Sequence, residues 1–246
     1  MTSNQHLHAY ATQLMMTSLS LSLTQDVKEC AGNHVCTTLM RYPDGYTADE
    51  GPNCRCRHDQ QICTPDKWEE DRPESTLTWQ HYERSHWLVQ YKFCSPIYTD
   101  QRMCNTQDGE RAAVITTDVK SWQPHLDVAR CRCPDNLFQL MGWKREGNLW
   151  KYFYNCHKPE CRPGLLTTAP TRNSDRLPCS KIYIDPYKSS DKVLEVSFLC
   201  ACPEGQMCPG RLHKKTEDGD LETESDEQGT FVYKYCENTK LSRQTA

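Results

Sequence analysis

The sequence predicts an all-β protein of three small disulfide-rich modules in tandem, and three observations predict it. A cysteine unit recurs three times along the chain, the signature of repeated structural units. The 16 cysteines are an even number and far more than a reducing compartment keeps in structural roles. No stretch sustains a helical apolar period, whereas several short runs alternate apolar and polar residues, so helix content should be low.

Each unit is a Cys-x-Cys pair, then a polar and charged loop, then an aromatic strand ending on a cysteine. The first runs from Cys54-Arg55-Cys56 to Val89-Gln90-Tyr91-Lys92-Phe93-Cys94, and the second from Cys131-Arg132-Cys133 to Trp150-Lys151-Tyr152-Phe153-Tyr154-Asn155-Cys156. The third runs from Cys200-Ala201-Cys202 to Phe231-Val232-Tyr233-Lys234-Tyr235-Cys236. They place modules at 26–94, 95–156 and 157–236, with a leader or disordered extension at 1–25 and a loose tail at 237–246. The segment Leu14 to Leu23 is a poor leader, diluted by Ser and Thr and lacking a basic flank.

Apolar residues are 37% of the chain and the mean hydropathy is -0.82, so a module of roughly 65 residues holds a thin core and needs covalent staples. A net charge of -4 gives no basic footprint for nucleic acid or anionic membrane, and no long apolar run predicts membrane insertion. Structural zinc is disfavoured because no Cys-x-x-Cys occurs. No Asn-x-Ser/Thr acceptor occurs either, so N-glycosylation is not expected.

In the first module, Thr37 to Arg41 reads as a strand, Tyr42-Pro43-Asp44-Gly45 as a turn, and His86 to Cys94 as a half-buried strand with Val89, Tyr91 and Phe93 on one face. Asp66 to Glu74 is a charged loop broken by Pro73. In the second, Ala112 to Thr117 is a β-branched strand, Gly142 to Asn148 a turn, and Leu149 to Tyr154 a strand. In the third, Lys181 to Ile184 and Val193 to Leu199 form a hairpin about Asp185 to Asp191, and the last strand ends at Cys236.

Aligned on the repeat, the first module has Cys30, Cys36, Cys54, Cys56, Cys63 and Cys94, the third has Cys161, Cys179, Cys200, Cys202, Cys208 and Cys236, and the second has only Cys104, Cys131, Cys133 and Cys156. Every count is even, so each module can close on itself. With Cys104 set against Cys36 and Cys179, the second module lacks the first and fifth positions together. Two half-cystines lost as a set are two ends of one bridge, which predicts Cys30–Cys63 and Cys161–Cys208. The hairpin and strand-end cysteines then each take one member of the Cys-x-Cys pair, whose own closure would be strained, and which takes which stays open.

No Gly-x-Ser-x-Gly, phosphate-binding glycine loop or His-Glu-x-x-His is present, and a complete disulfide framework leaves no thiol nucleophile, so the expectation is a non-enzyme with no cofactor and no metal. His81, His86 and His125 lack partners at zincin spacing. The acidic run Glu217 to Glu227 does not fit an EF-hand and reads as a solvated finger tip, which with Asp66 to Glu74 could face a basic ligand. Exposed aromatic rows are candidate contact surfaces. The candidates are Tyr91, Tyr152 and Tyr233 on strands, and Trp68 and Trp143, which read as loop residues.

The segments Gln90-Tyr91-Lys92-Phe93-Cys94-Ser95, Arg130-Cys131-Arg132-Cys133-Pro134 and Leu199-Cys200-Ala201-Cys202-Pro203-Glu204-Gly205-Gln206-Met207-Cys208-Pro209, with the spacing of all sixteen cysteines, resemble scoloptoxin family 11, centipede venom proteins. They also resemble the Argos (giant-lens) secreted antagonists of insects. The resemblance implies three-finger-like β-modules and a secreted, extracellular chain. It implies a venom toxin acting on an extracellular receptor or voltage-gated potassium channel, or a decoy that sequesters an EGF-like growth factor. The expected partner is an extracellular protein, and the chain itself is expected to be a monomer.

Overall fold

A computed structural model describes residues 28–57, 63–64, 67–81, 86–98, 102–105, 109–161, 177–185, 193–210 and 223–238. The expected leader, most of the acidic run Glu217–Glu227, most of the Asp185–Asp191 turn and most of the tail lie outside these residues.

The first cysteine segment contributes β1 (Val35–Arg41), β2 (Thr47–Pro52), β3 (Thr76–Gln80) and β4 (Leu88–Phe93). The second contributes β5 (Arg111–Asp118), β6 (Pro124–Ala129), β7 (Leu137–Glu146) and β8 (Leu149–Asn155). The third contributes β9 (Pro178–Ile184), β10 (Val193–Phe198), β11 (Gln206–Met207), β12 (Glu224–Asp226), β13 (Gly229–Tyr235) and β14 (Glu237–Asn238). The helical content among the described residues is one 3-10 turn, Pro73–Ser75. The protein is all-β and disulfide-rich, as the missing helical period predicts.

Twelve of the strands join in one sheet, in the order β12-β13-β9-β10-β7-β3-β4-β1-β2, with β8, β5 and β6 continuing from the other edge of β7. Consecutive pairings are antiparallel, except that β3 runs parallel to β7 from Thr78↔Leu137 to Gln80↔Gln139. The path also returns on itself. His34 bridges His125, Leu126 N–H donates to Asn33 O at 2.8 Å, and the Asn33 amide donates back to Leu126 O. Strands β1, β4, β3, β7, β8, β5 and β6 therefore close into a ring with a short seam, and closure removes edges that would otherwise need protection.

Alternation decides what fills this ring. Val89 and Phe93 of β4, Leu77 and Trp79 of β3, Phe138 and Leu140 of β7, Tyr154 of β8, Ala113 and Ile115 of β5 and Leu126 of β6 belong to one buried cluster. Where a strand supplies more than one, these inward residues are two or four apart, the period of a strand with one face buried. The face expected for Val89, Tyr91 and Phe93 is the inner one.

The outer face of β4 is covered by the charged stretch before Pro73. Gln90 clamps Glu69 by accepting from its N–H and donating to its C=O, both at 2.9 Å, while the fully buried Lys92 donates to Thr64 O at 3.0 Å and to Lys67 O. Glu69 is itself buried. This stretch is thus a strap on the barrel rather than a free acidic fingertip, because two buried polar side chains need its backbone groups.

The eight bridges are Cys30–Cys54, Cys36–Cys63, Cys56–Cys94, Cys104–Cys131, Cys133–Cys156, Cys161–Cys200, Cys179–Cys208 and Cys202–Cys236. The expected Cys30–Cys63 and Cys161–Cys208 are corrected. Cys104 is the counterpart of Cys30 and Cys161, not of Cys36 and Cys179. Backbone pairing gives the reason: Cys30 N–H donates to Arg55 O, Cys104 N–H to Arg132 O and Cys161 N–H to Ala201 O, at 2.9, 2.9 and 2.8 Å. In each case the segment before the cysteine lies parallel to the middle residue of Cys-x-Cys. The bridge missing from the second segment joins the second and fifth positions. Ala112, fully buried, accepts from Arg130 N–H there as Cys179 accepts from Leu199 N–H.

A second correction concerns Gly142, expected in a turn. It lies within β7, and the turn is confined to Gly147-Asn148. The strands β3, β6 and most of β7 were not predicted from the sequence at all.

Candidate binding cleft

At one end of the closed ring the filling of the barrel stops short, and a cleft of about 430 Å³ opens. Its walls come from eight strands, β1 to β8, and their loops. Thr38 and Met40 stand on β1, Glu50 on β2, Trp79 on β3, Val89 and Tyr91 on β4, Thr117 on β5, Leu140 on β7, and Tyr152 and Tyr154 on β8. Apart from Glu50, which is exposed on β2 outside the ring, these positions lie on the inward face, and Trp79, Val89, Leu140 and Tyr154 are shared with the buried core.

The floor is aromatic. The Trp79 ring lies 5.7 Å from that of Tyr154 and 6.1 Å from that of Tyr91, and it stacks on His81 at 5.9 Å. Tilted rings at these distances are favourable quadrupole pairs. Burial pushes the Tyr91 phenol up and holds the Tyr154 phenol well above its ordinary value, so both stay neutral at physiological pH. The Tyr91 side chain is the hydrogen-bonding neighbour of both the Tyr154 hydroxyl and the Trp79 indole, so the three rings form one buried polar contact beneath the cleft.

One rim is built by the β5–β6 turn. Asp118 accepts from the backbone N–H groups of Lys120 at 2.8 Å and Ser121 at 3.0 Å, and these bonds hold its carboxyl below the usual range. The turn ends on Trp122, whose N–H donates to Asp118 O at 2.9 Å with φ at +55°. A bulky residue in left-handed backbone is unusual, and such strain concentrates where function requires it. Trp122 is 62% exposed beside the cleft.

Of the five aromatic residues singled out from sequence, Tyr91 and Tyr152 reach this cleft. Trp143 does not lie in a loop. It is on β7, half-buried, packed edge-on to Phe198 at 5.5 Å and 6.2 Å from Tyr152. Trp68 is half-buried on the strap, with the Arg41 guanidinium 5.5 Å from its ring centre. Tyr233 is on β13 and meets Phe231 edge-on at 5.1 Å. Trp79 and Trp122 carry no expectation from the sequence, and Tyr154 reads there only as one residue of an aromatic strand. The alternating run Thr76-Leu77-Thr78-Trp79-Gln80 carried a legible strand signal for the first, whereas the placement of Trp122 depends on turn geometry that composition does not encode.

A smaller recess of about 120 Å³ lies where β10 and the third Cys-x-Cys meet the barrel, lined by Gln80, His81, Gln139, Lys158 and Phe198 among others. The Lys158 ammonium sits 4.5 Å from the Phe198 ring centre, and burial pushes it down to about 7. Cysteine clusters of metal-binding size coincide with the disulfides, so their sulfurs are already committed. Among the described residues no helix is long and apolar enough to cross a membrane.

No family model matches the chain. Over 191 residues it is 24% identical to U-scoloptoxin(11)-Sm7a of Scolopendra morsitans, covering 76% of this chain and 74% of that toxin. Against the crystal structure of unliganded Argos it is 21% identical, covering 87% of this chain and 93% of that one, with a TM-score of 0.37. The chain is thus a disulfide-rich protein with similarity to a scoloptoxin and to Argos, the two relatives that its cysteine spacing resembles.

Proposed function

We propose that this is a secreted, non-enzymatic binding protein, a venom toxin that acts on an extracellular receptor or a voltage-gated potassium channel. The observation that carries the reading is that all sixteen cysteines are spent in disulfides on a chain similar to a scoloptoxin over three quarters of its length. Such a framework is stable only in an oxidising compartment, which fits secretion. It leaves no thiol nucleophile, and a rigid scaffold presenting loops and aromatic side chains is suited to recognition rather than turnover.

On this reading the segments 26–94, 95–156 and 157–236 are three modules, supported by the fact that each bridge joins two cysteines of the same segment. The contact surface centres on Tyr91 and Tyr152 at the cleft, with Trp68, Trp143 and Tyr233 as outlying contacts.

The test is a capture experiment. The oxidised chain is immobilised and offered solubilised neuronal membranes beside an EGF-like ligand. Retention of a channel or receptor supports the toxin. Retention of the EGF-like ligand alone replaces it with the growth-factor antagonist.

A further inference from the structure

Lys158 is a cation fixed in the wall of a recess without a counter-charge. It belongs to the link His157-Lys158-Pro159-Glu160, which starts after Cys156, bridged to Cys133, and ends at Cys161, bridged to Cys200. Within the link, Pro159 O accepts from Ala201 N–H at 2.7 Å. Both ends are therefore held, and the side chain is delivered to the recess of about 120 Å³ beside the third Cys-x-Cys. There Nζ lies 4.5 Å from the Phe198 ring centre, a favourable face for an ammonium but not a compensating charge. The described lining residues include no Asp or Glu, and His81, the other titratable side chain among them, can add only positive charge. Glu160, two residues on, is exposed and exerts no pull on Lys158, whose ammonium is disfavoured by burial with nothing acting in return. Lysines out of water are ordinarily paired. The side chain is half-buried, so the mouth of the recess leaves it within reach of solvent and of a ligand.

We propose that this recess binds a carboxylate, whose oxygen accepts a charge-assisted hydrogen bond from Lys158 Nζ over the Phe198 ring. The size fits, since about 120 Å³ admits a carboxylate head but not a drug-sized body, which takes ~300 Å³ or more. The wall opposite is polar, with Gln139 Nε2 donating to Gln80 Oε1 at 3.0 Å. The disulfides Cys161–Cys200, Cys179–Cys208 and Cys202–Cys236 hold the remaining side, so the site is in place before the ligand arrives. An incoming carboxylate supplies the missing charge and gains a bond strengthened by partial exclusion of water. The same chemistry has two sources, a small free carboxylate and an Asp or Glu side chain of a partner protein. This goes beyond the protein target proposed above and does not depend on it.

The test titrates the oxidised full chain, carrying carbon-labelled lysine, with sodium acetate, with acetamide as the same shape lacking the charge, and with an aspartate capped at both ends. Sodium chloride at matched ionic strength is the control for screening. Binding is read by NMR on the lysine side-chain resonances. At pH 6 the expected result is a saturable response of one lysine to acetate, at least about tenfold tighter than to acetamide. Saturating acetate should also raise the midpoint of that lysine from about 7 by about one pH unit, while chloride leaves it in place. Lys158→Met should remove the responding resonance and leave the other lysines unmoved by acetate. Response to acetate and capped aspartate alike identifies a partner's acidic side chain as a fitting source, and response to acetate alone identifies a small free carboxylate. Equal affinity for acetate and acetamide, no saturable response beyond that to chloride, or a response that persists in Lys158→Met overturns the proposal. The wild-type comparison of acetate with acetamide stands even if the variant fails to fold.

Discussion

Gly142 shows how one residue sets a junction. Its φ is +152°, and a Cβ there would lie 2.1 Å from Val196 O on the neighbouring β10. The close approach of β7 and β10 ties the third cysteine segment to the barrel, through Ser197↔Gly142 and the pairs beside it. Gly142→Ala should cost about 1–3 kcal/mol, because neither backbone can yield without breaking that pairing, and urea unfolding would measure it. The glycine reads as a turn in sequence because a turn and a close approach ask for the same residue. Lys158 offers a second residue-level prediction. A lysine-specific carbon NMR titration should show one ammonium with a midpoint near 7, with its folded value below the unfolded 10.5. Between those values the unfolded chain binds more protons, so stability rises with pH across that window. Lys158→Met should flatten the rise.

The seam between β1 and β6 is held at His34 and His125, whose rings are 5.6 Å apart. Burial and then the neighbouring His34 push the His125 imidazole below its ordinary 6.5, against an opposing pull from Asp127. A base with a lowered folded value gives stability that is complete above about 6.5 and is lost as the pH falls below it. Thermal unfolding from pH 7.5 to 5 should therefore show a falling midpoint, and His125→Gln should flatten the fall. The bridges are tested by non-reducing peptide mapping, which should join Cys36 to Cys63 and Cys104 to Cys131. Removing Cys36 and Cys63 together should cost about 2–4 kcal/mol without unfolding the chain, since the second segment already lacks that bridge and places the buried Ala112 at the corresponding strand position.

Strands carrying β-branched or aromatic alternation, such as Ala112–Thr117, Leu149–Tyr154 and Val89–Phe93, were legible because one face is buried and period two follows. β6 was not, since Pro124, His125 and Asp127 dilute its pattern, and its partner is set by tertiary closure. The rule that half-cystines vanish in pairs held. The assignment of Cys104 failed because a single gap can be placed on either side of it, and only the backbone pairing with Arg132 decides. Tyr91 and Tyr152 were legible as aromatic strand residues. Their convergence with Trp79 and Tyr154 was not, because it arises from β3 pairing in parallel with β7, a contact between residues about sixty positions apart.

At the scale of the whole molecule, strands from two cysteine segments share one closed ring, and the third is an extension of the same sheet through β10 and β7. A target would meet a surface braced by eight bridges and a continuous ladder, so little ordering is lost on binding. Reduction should remove activity by loosening that surface. The most direct test is voltage-clamp recording of potassium currents in neurons exposed to the oxidised chain and to the reduced, alkylated chain. The account predicts reversible, dose-dependent block of the current by the oxidised form and none by the reduced form. Currents unchanged by both, from a chain that captures an EGF-like ligand and no channel or receptor, would contradict it.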